Sequence, residues 1–343
     1  MGKMKQESYF KKLYDIINET EKNGLLIRPD SVKGFHSDGL SGEKLLGALQ
    51  RFTVYQNKTG GGTYLEIGIF QGLSLISIAK VLETVEVYGI DNFSDFDPDG
   101  LNKKIVLERL AANKLTNAVI IERDFEEALL NIKDYIGNNR IGVFFVDGPH
   151  DYRSQLVSLM YAKQYILSET GIIVVDDCNN NHVRQANRDF LISNPEFKLF
   201  YEAYTKSHPI HMNESDKCAA QKGWWNGVNI IVKDNSNILD QMLPQTMQDR
   251  CLFYNSHKIH GAKYGKFIPE LLDIFNLLNK SDDSKILKEL KTLKTMQDNS
   301  DYKKYYQHDL RNTNSAELSP GRFNSVIKNI SKPIIMENLP SDI

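Results

Sequence analysis

The chain reads as an α/β protein: a doubly wound, Rossmann-like sheet of about seven strands with an antiparallel closing strand, N-terminal helices before it and a helical extension after it. Three observations predict this. Five apolar, β-branched runs alternate with helical patterns, the mark of a parallel sheet. The first run leads straight into a glycine-bearing turn and a new helix. Two later runs, Phe197–Glu202 and Gly223–Val232, are joined by a polar loop without a long amphipathic helix, as antiparallel neighbours at a sheet edge are. Residues 1–59 are expected to form a helical cap, 60–233 the sheet domain and 234–343 the extension.

Taken in order, Tyr9, Phe10, Leu13, Ile16 and Ile17 recur at helical spacing, and Gly24 stops that helix. Ser41 is the expected N-cap of a second helix through Leu45, Leu46, Leu49 and Phe52. Between them lies a polar, glycine-bearing loop, 35–42. Thr63-Tyr-Leu-Glu-Ile67 is the first strand, and Leu73, Ile76, Ala79, Val81 and Leu82 give the helix after it. Strands follow at Val85–Ile90, Ala118–Ile121, Arg140–Val146 and Gly171–Val175, the fourth a continuous apolar run suited to a strand buried on both faces. Leu156, Leu159, Met160, Ala162 and Ile166 form the inner face of the helix between the last two. A helix over about 183–192 precedes the antiparallel pair. Amphipathic helices are predicted at 269–279 and 284–296, as padding of the domain or a contact for self-association.

The turn after the first strand carries Glu66, Gly68 and Gly72. Glycine serves where backbone turns sharply or a ligand comes close, and the new helix directs free N–H groups and a positive dipole end at the turn. Asp91 ends the second strand, about 20 positions past the turn, where a nucleotide-binding βαβ unit places its ribose acceptor. Asp124 follows the third strand, Asp147 the fourth, and Asp176 and Asp177 the fifth. Open parallel sheets bind ligands at that edge. Asp147 and Asp176 end strands that should be neighbours, so with Asp177 they form a hard oxygen site suited to magnesium, calcium or manganese. Alternatively Asp176 or Asp177 caps the next helix, a task Asn179 to Asn181 would also serve.

Composition narrows the function. The chain has 343 residues, 41 % hydrophobic and 25 % charged, and 42 Lys and Arg against 44 Asp and Glu leave a net charge of -2. That balance gives no basis for nucleic-acid or membrane-surface binding and favours a small-molecule partner. Without a secretory apolar core or a run of about 18 apolar residues, a cytoplasmic location is expected. Cys178, Cys218 and Cys251 have no metal-type spacing and fit a reducing compartment.

The series Glu66-x-Gly68-x-x-x-Gly72, Asp91, Asp124, Asp147 and Asp176-Asp177, closed by an antiparallel pair, resembles the class I S-adenosylmethionine-dependent methyltransferases over about residues 60–233. Val146-Asp-Gly-Pro-His-Asp-Tyr152 and Val174-Val-Asp-Asp177 are similar to the metal-assisted small-molecule O-methyltransferases, of the macrocin and mycinamicin sugar type and the catechol type. The resemblance implies that backbone around Gly68 and Gly72 holds the methionine part of S-adenosylmethionine, with Glu66 anchoring the turn. Asp91 would accept from the ribose, Asp124 and Phe125 would flank the adenine, and Asp147, Asp176 and Asp177 would hold a divalent metal, magnesium foremost. The family's middle glycine is Phe70 here.

Asp147 is the expected base toward an acceptor hydroxyl, assisted by His150, three residues on in the same loop mouth. His182, Arg184 and Arg188 read as a solvated helix face or an anionic-substrate contact; Trp224 and Trp225 read as edge-strand core or a ring-stacking wall. Two rivals remain: a nicotinamide-dependent oxidoreductase or epimerase, whose fingerprint G-x-G-x-x-G differs in spacing, and a non-catalytic assembly protein.

Overall fold

Two helices precede the sheet: α1 (Lys3–Asn23), ended by Gly24 at φ +60°, and α2 (Glu43–Lys58). The computed structural model describes residues 2–27, 40–94, 96–205, 209, 212–246, 274, 284–288, 290–291 and 321–327. Of the helix expected at 284–296, residues 284–288 and 290–291 are described and are helical; the helix expected at 269–279 lies outside the described residues except for Ile274, which is helical, and the loop at 35–42 is described only at 40–42. Ser41 is not the cap of α2. Gly42 is, and no side chain caps the helix. The free amide of Lys44 donates to the Gly223 carbonyl (3.0 Å), and a Cβ at position 42 would stand 2.2 Å from that oxygen. A close backbone pass therefore sets the start of α2.

The strands are β1 (Thr63–Ile67), β2 (Val87–Ile90), β3 (Ala118–Ile121), β4 (Ile141–Val146), β5 (Leu167–Val175), β6 (Phe197–Ala203), β7 (Val228–Lys233) and β8 (Arg322–Phe323). Their order in the sheet is β3-β2-β1-β4-β5-β7-β6-β8. The first five are parallel, and β7 inserts antiparallel between β5 and β6, as the two late runs predict. The short β8 was not foreseen; it lies antiparallel on β6.

Alternation along the strands feeds two cores. Tyr64, Val143, Phe145, Ile172, Val174, Ile230 and Val232 pack with α1, α2 and the helix after β1, α3 (Leu73–Val81). Leu65, Ile67, Phe144, Val146, Ile173, Val175 and Ile231 face the other way, toward the helices that follow β3, β4 and β5. These are α5 (Phe125–Leu130), α6 (Ile132–Ile136), α7 (Tyr152–Tyr161) and α8 (Asn181–Ser193); α4 (Asn102–Ala112) sits between β2 and β3 on the first face. α1 and α2 thus share the core of the sheet.

Three local readings change. α7 gives way to a π-helical turn at Ala162–Ile166, and Met160 is exposed. The connection from β6 to β7 holds α9 (Glu214–Lys222) where a polar loop was expected. Residues 223–227 form a turn ahead of β7, with Trp225 at φ +50° and Gly227 at φ +88°, and both tryptophans are buried. Among the described residues no helix is long and apolar enough to cross a membrane.

Glu21 ties α1 to the far end of the sheet. Its Oε1 accepts from the Tyr201 hydroxyl and the Trp224 indole N–H, both at 2.7 Å, and its Oε2 pairs with Lys44. Burial alone would raise its pKa, but the bonds from Lys44, Tyr201 and Trp224 outweigh burial and hold it below the ordinary value of 4.5. A depressed folded pKa contributes stability above the unfolded value that is lost as pH falls through the folded one. Glu21→Ala should therefore cost about 1–3 kcal/mol at neutral pH. In urea denaturation the gap from the natural chain should narrow below pH 4.5. A gap independent of pH would remove the charge from this account.

Candidate active site

The register places the acids. Ile67 pairs with Ile90 and with Val146, Val146 pairs with Val175, and Ile90 with Ile121, so these strands end on one rung. The next residues are Gly68, Asp91, Asp147 and Asp176, and their amides extend the ladder by one bond each. Gly68 donates to Ile90 O (2.9 Å), Asp91 to Ile121 O (3.2 Å), Asp147 to Ile67 O (3.0 Å) and Asp176 to Val146 O (3.0 Å). Gly68 is required by its neighbour: at φ +90°, a Cβ there would lie 1.9 Å from the Asp147 carbonyl oxygen.

Asp91 folds back onto the glycine turn. Its Oδ2 accepts from the amides of Ile69 and Phe70, both at 2.8 Å, and its Oδ1 from Phe93 (2.7 Å). Phe70, which stands where the family has glycine, has φ +49°, a left-handed conformation costly for a bulky side chain. The bond from its amide to Asp91 helps to hold that conformation. An ionised carboxylate accepts about four hydrogen bonds, and the amides of Ile69, Phe70 and Phe93 occupy three of those positions on Asp91. Asp124 is exposed and caps α5 by accepting from Glu126 and Glu127; Phe125 packs into the second core.

Beside the turn, Glu66 is fully buried and accepts the Tyr64 hydroxyl (2.6 Å), two residues back on the same face. Burial pushes its pKa up to about 8, the Tyr64 bond opposes the rise, and the charges of Asp147 and Asp91 add to it.

Asp147, His150 and Asp177 each bring one ligand atom within 4.8 Å of the others. His150 Nε2 lies 2.6 Å from Asp177 Oδ2 and 3.6 Å from Asp147 Oδ1. Burial alone would lower the His150 pKa, but Asp177 and Asp147 outweigh it and push it up to about 10, so the imidazole is held as a cation. Burial in turn holds Asp147 above the usual carboxylate range. Asp176 is buried beside this group, its Oδ1 accepting the Asp177 amide (2.8 Å). Burial, then Asp147 and Asp177, raise its pKa well above normal. The structure thus gathers Asp147 and Asp177 with His150, and sets Asp176 outside the three-atom group. Neither aspartate caps α8: Asn180 does, accepting from the His182 amide.

The other sequence candidates are structural in this conformation. His182 and Arg184 are buried, not on a solvated face, and Arg184 donates to the carbonyls of Cys178, Asn179 and Gln245. Arg188 donates to Pro244 O (3.1 Å). Two site residues escaped the sequence reading. Tyr64 could have been found by its two-residue spacing from Glu66. Asn226, whose Nδ2 donates to Asp177 Oδ1, lay hidden in a stretch read as strand, although Asn-Gly is a turn signal.

Five parallel strands, an inserted antiparallel closing strand and acids at successive strand ends around a glycine turn define a Rossmann-like, nucleotide-type site. Residues 65–178 match the family model described as a methyltransferase domain. The match spans Glu66, Gly68, Asp91, Asp147, His150, Asp176 and Asp177, while Tyr64 and Asn226 lie outside it. Solved structures with a similar arrangement include an O-methyltransferase from Bacillus cereus in complex with SAH, 14 % identical, covering 66 % of this chain and 91 % of that one at a TM-score of 0.40. The SAH-bound methyltransferase PaMTH1 of Podospora anserina is 17 % identical, with 67 % and 94 % covered and a TM-score of 0.39. The O-methyltransferase TomG of Streptomyces achromogenes, solved with SAM, is 15 % identical, with 68 % and 100 % covered and a TM-score of 0.38. A comparison with curated proteins gives no match.

Glu66 supplies a direct check of the electrostatics. Between the unfolded value of 4.5 and about 8, the folded chain keeps a proton that the unfolded chain releases, so stability falls as pH rises across that window. Glu66→Gln removes the titration. Urea denaturation at pH 5 and pH 8 should show the variant gaining a few kcal/mol on the natural chain at the higher pH; parallel pH dependences would refute the raised pKa.

Proposed function

We propose that this chain transfers the methyl group of S-adenosylmethionine to a hydroxyl of a small molecule, with a divalent cation held at Asp147 and Asp177. The observation that carries the reading is the placement of Asp91 and the Asp147–His150–Asp177 group on either side of one glycine turn, within a methyltransferase domain. The motifs around Asp147 and Asp177 support a sugar hydroxyl as the acceptor, by their resemblance to the sugar O-methyltransferases.

The bound cofactor supplies an electrophilic methyl on a sulfonium, and a divalent cation supplies positive charge that makes a nearby hydroxyl more acidic. The chain's residues do the rest. Backbone at Gly68 and Gly72 leaves room for a close approach, while the remaining acceptor position of Asp91 takes a ribose hydroxyl. Asp147 and Asp177 offer oxygen atoms suited to a hard cation, and His150 Nε2 becomes a third donor only after it loses its proton. The residues around the turn would hold the acceptor hydroxyl in line with that methyl, and such positioning is worth roughly 7–11 kcal/mol of the barrier. Asp147, which borders the acceptor side of this group, would take the hydroxyl proton. His150 is a proton donor while both carboxylates face it, and accepts a proton only when their charge is offset.

Calorimetry on the full chain should detect binding of S-adenosylhomocysteine and none of NAD. Tight NAD binding in its place would favour the oxidoreductase reading and sink this one. Separately, methyl transfer to a panel of hydroxyl acceptors should drop to background after chelation and return with magnesium or manganese. Full turnover by the stripped enzyme would confine Asp147 and Asp177 to positioning and proton transfer.

A further inference from the structure

The turn at 223–227 is docked on the loop that carries Asp177. Backbone bonds run from the Cys178 amide to Gly227 O (3.2 Å) and from the Asn179 amide to Asn226 O (2.8 Å). The contact is tight enough that a Cβ at Gly227 would lie 2.8 Å from Asn179 Oδ1. Left-handed backbone occurs on both sides, at Asp177 (φ +54°), Trp225 (φ +50°) and Gly227 (φ +88°). Non-glycine residues hold such a conformation only where their surroundings enforce it. The buried rings of Trp224 and Trp225 immediately precede Asn226 in the chain and anchor the turn.

From this turn Asn226, 2 % exposed, donates its Nδ2 to Asp177 Oδ1. Its own Oδ1 is buried and has no hydrogen-bond partner among the described residues. Burying an amide with its oxygen unmatched is costly, and an apolar side chain of similar size would fill the space without that cost. The other oxygen of Asp177, Oδ2, is the one that faces His150. We infer that Asn226 is a positioning residue of the candidate cation site: it fixes the rotation of the Asp177 carboxylate, holding Oδ1 on the turn and presenting Oδ2 to Asp147 and His150. The inference rests on the reading of that group as a divalent-cation site. Partners that orient a metal-binding side chain typically govern affinity by 10–100-fold, roughly, without touching the ion.

The test is Mn²⁺ binding to the full-length protein without cofactor, followed by calorimetry and by the paramagnetic resonance of free Mn²⁺. The natural chain should bind Mn²⁺, and Asn226→Ala should bind it about 10–100-fold more weakly, with an unchanged circular dichroism spectrum in the metal-free state. Asp177→Asn should weaken binding as well, and adding Asn226→Ala to it should weaken binding no further, because Asn226 acts through Asp177. If Asn226→Ala does not fold, Asn226→Ser, too short to reach Asp177, takes its place in both arms. Unchanged Mn²⁺ affinity in the single variant overturns the inference and leaves the cation site standing. An added loss in the Asp177→Asn background also overturns it, since Asn226 would then act elsewhere. No Mn²⁺ binding by the natural chain overturns the cation reading and this inference together.

Discussion

Ile67 pairs with Ile90 on one side and Val146 on the other, and Val146 pairs with Val175, so four strands finish on a common rung. Every polar group of the candidate site is placed from that line. One residue further, the chain leaves the ladder at Gly68, Asp91, Asp147 and Asp176, and each amide still makes the last bond of its strand. Backbone pairing thus fixes where the carboxylates start, and side-chain bonding decides where they end. Asp91 turns to the glycine loop, Asp176 to the amide of its successor, and Asp147 stays with His150. A slip of one residue in β4 would reverse the direction of every side chain on it, replacing the acid with an apolar residue.

Concentrating carboxylates at one sheet edge carries an electrostatic cost that the structure meets in different ways. Asp91 is matched by three amides. Glu66 and Asp176 lie deep enough that burial favours their neutral forms. Asp147 and Asp177 share the imidazolium of His150. A site so arranged draws positive charge into the space between Asp147 and Asp177, whether that charge is a histidine proton or a cation.

Much of the fold was legible because the strands are buried on both faces and read as unbroken apolar runs, and because the acids fall directly after them. The antiparallel pair was legible from the missing long helix. What escaped were features set by contacts distant in sequence. Ser41 has the chemistry of a cap, yet the Gly223 carbonyl displaces it. Arg184 has the look of a surface residue, yet carbonyls from two loops draw it inside. Asp147 and Asp177 were found as acids at strand ends, but the exclusion of Asp176 depends on side-chain rotation, which no spacing encodes. Asn226 acts across 49 positions, and β8 pairs with a strand about 120 residues earlier.

That last strand bears on how the chain is made. Without β8, β6 would be an edge strand carrying Phe197, Phe200 and Tyr201, and an open edge of this kind invites pairing with another chain. Here Arg322 pairs with Glu202, Asn324 bonds to Phe200 and Leu199, and Phe323 stacks among Tyr14, Phe200 and Tyr201. Translation delivers those residues long after the five parallel strands have left the ribosome. Until then the growing polypeptide carries a nearly finished sheet with one bare border. A premature stop between 234 and 321 would remove the strand that covers this border.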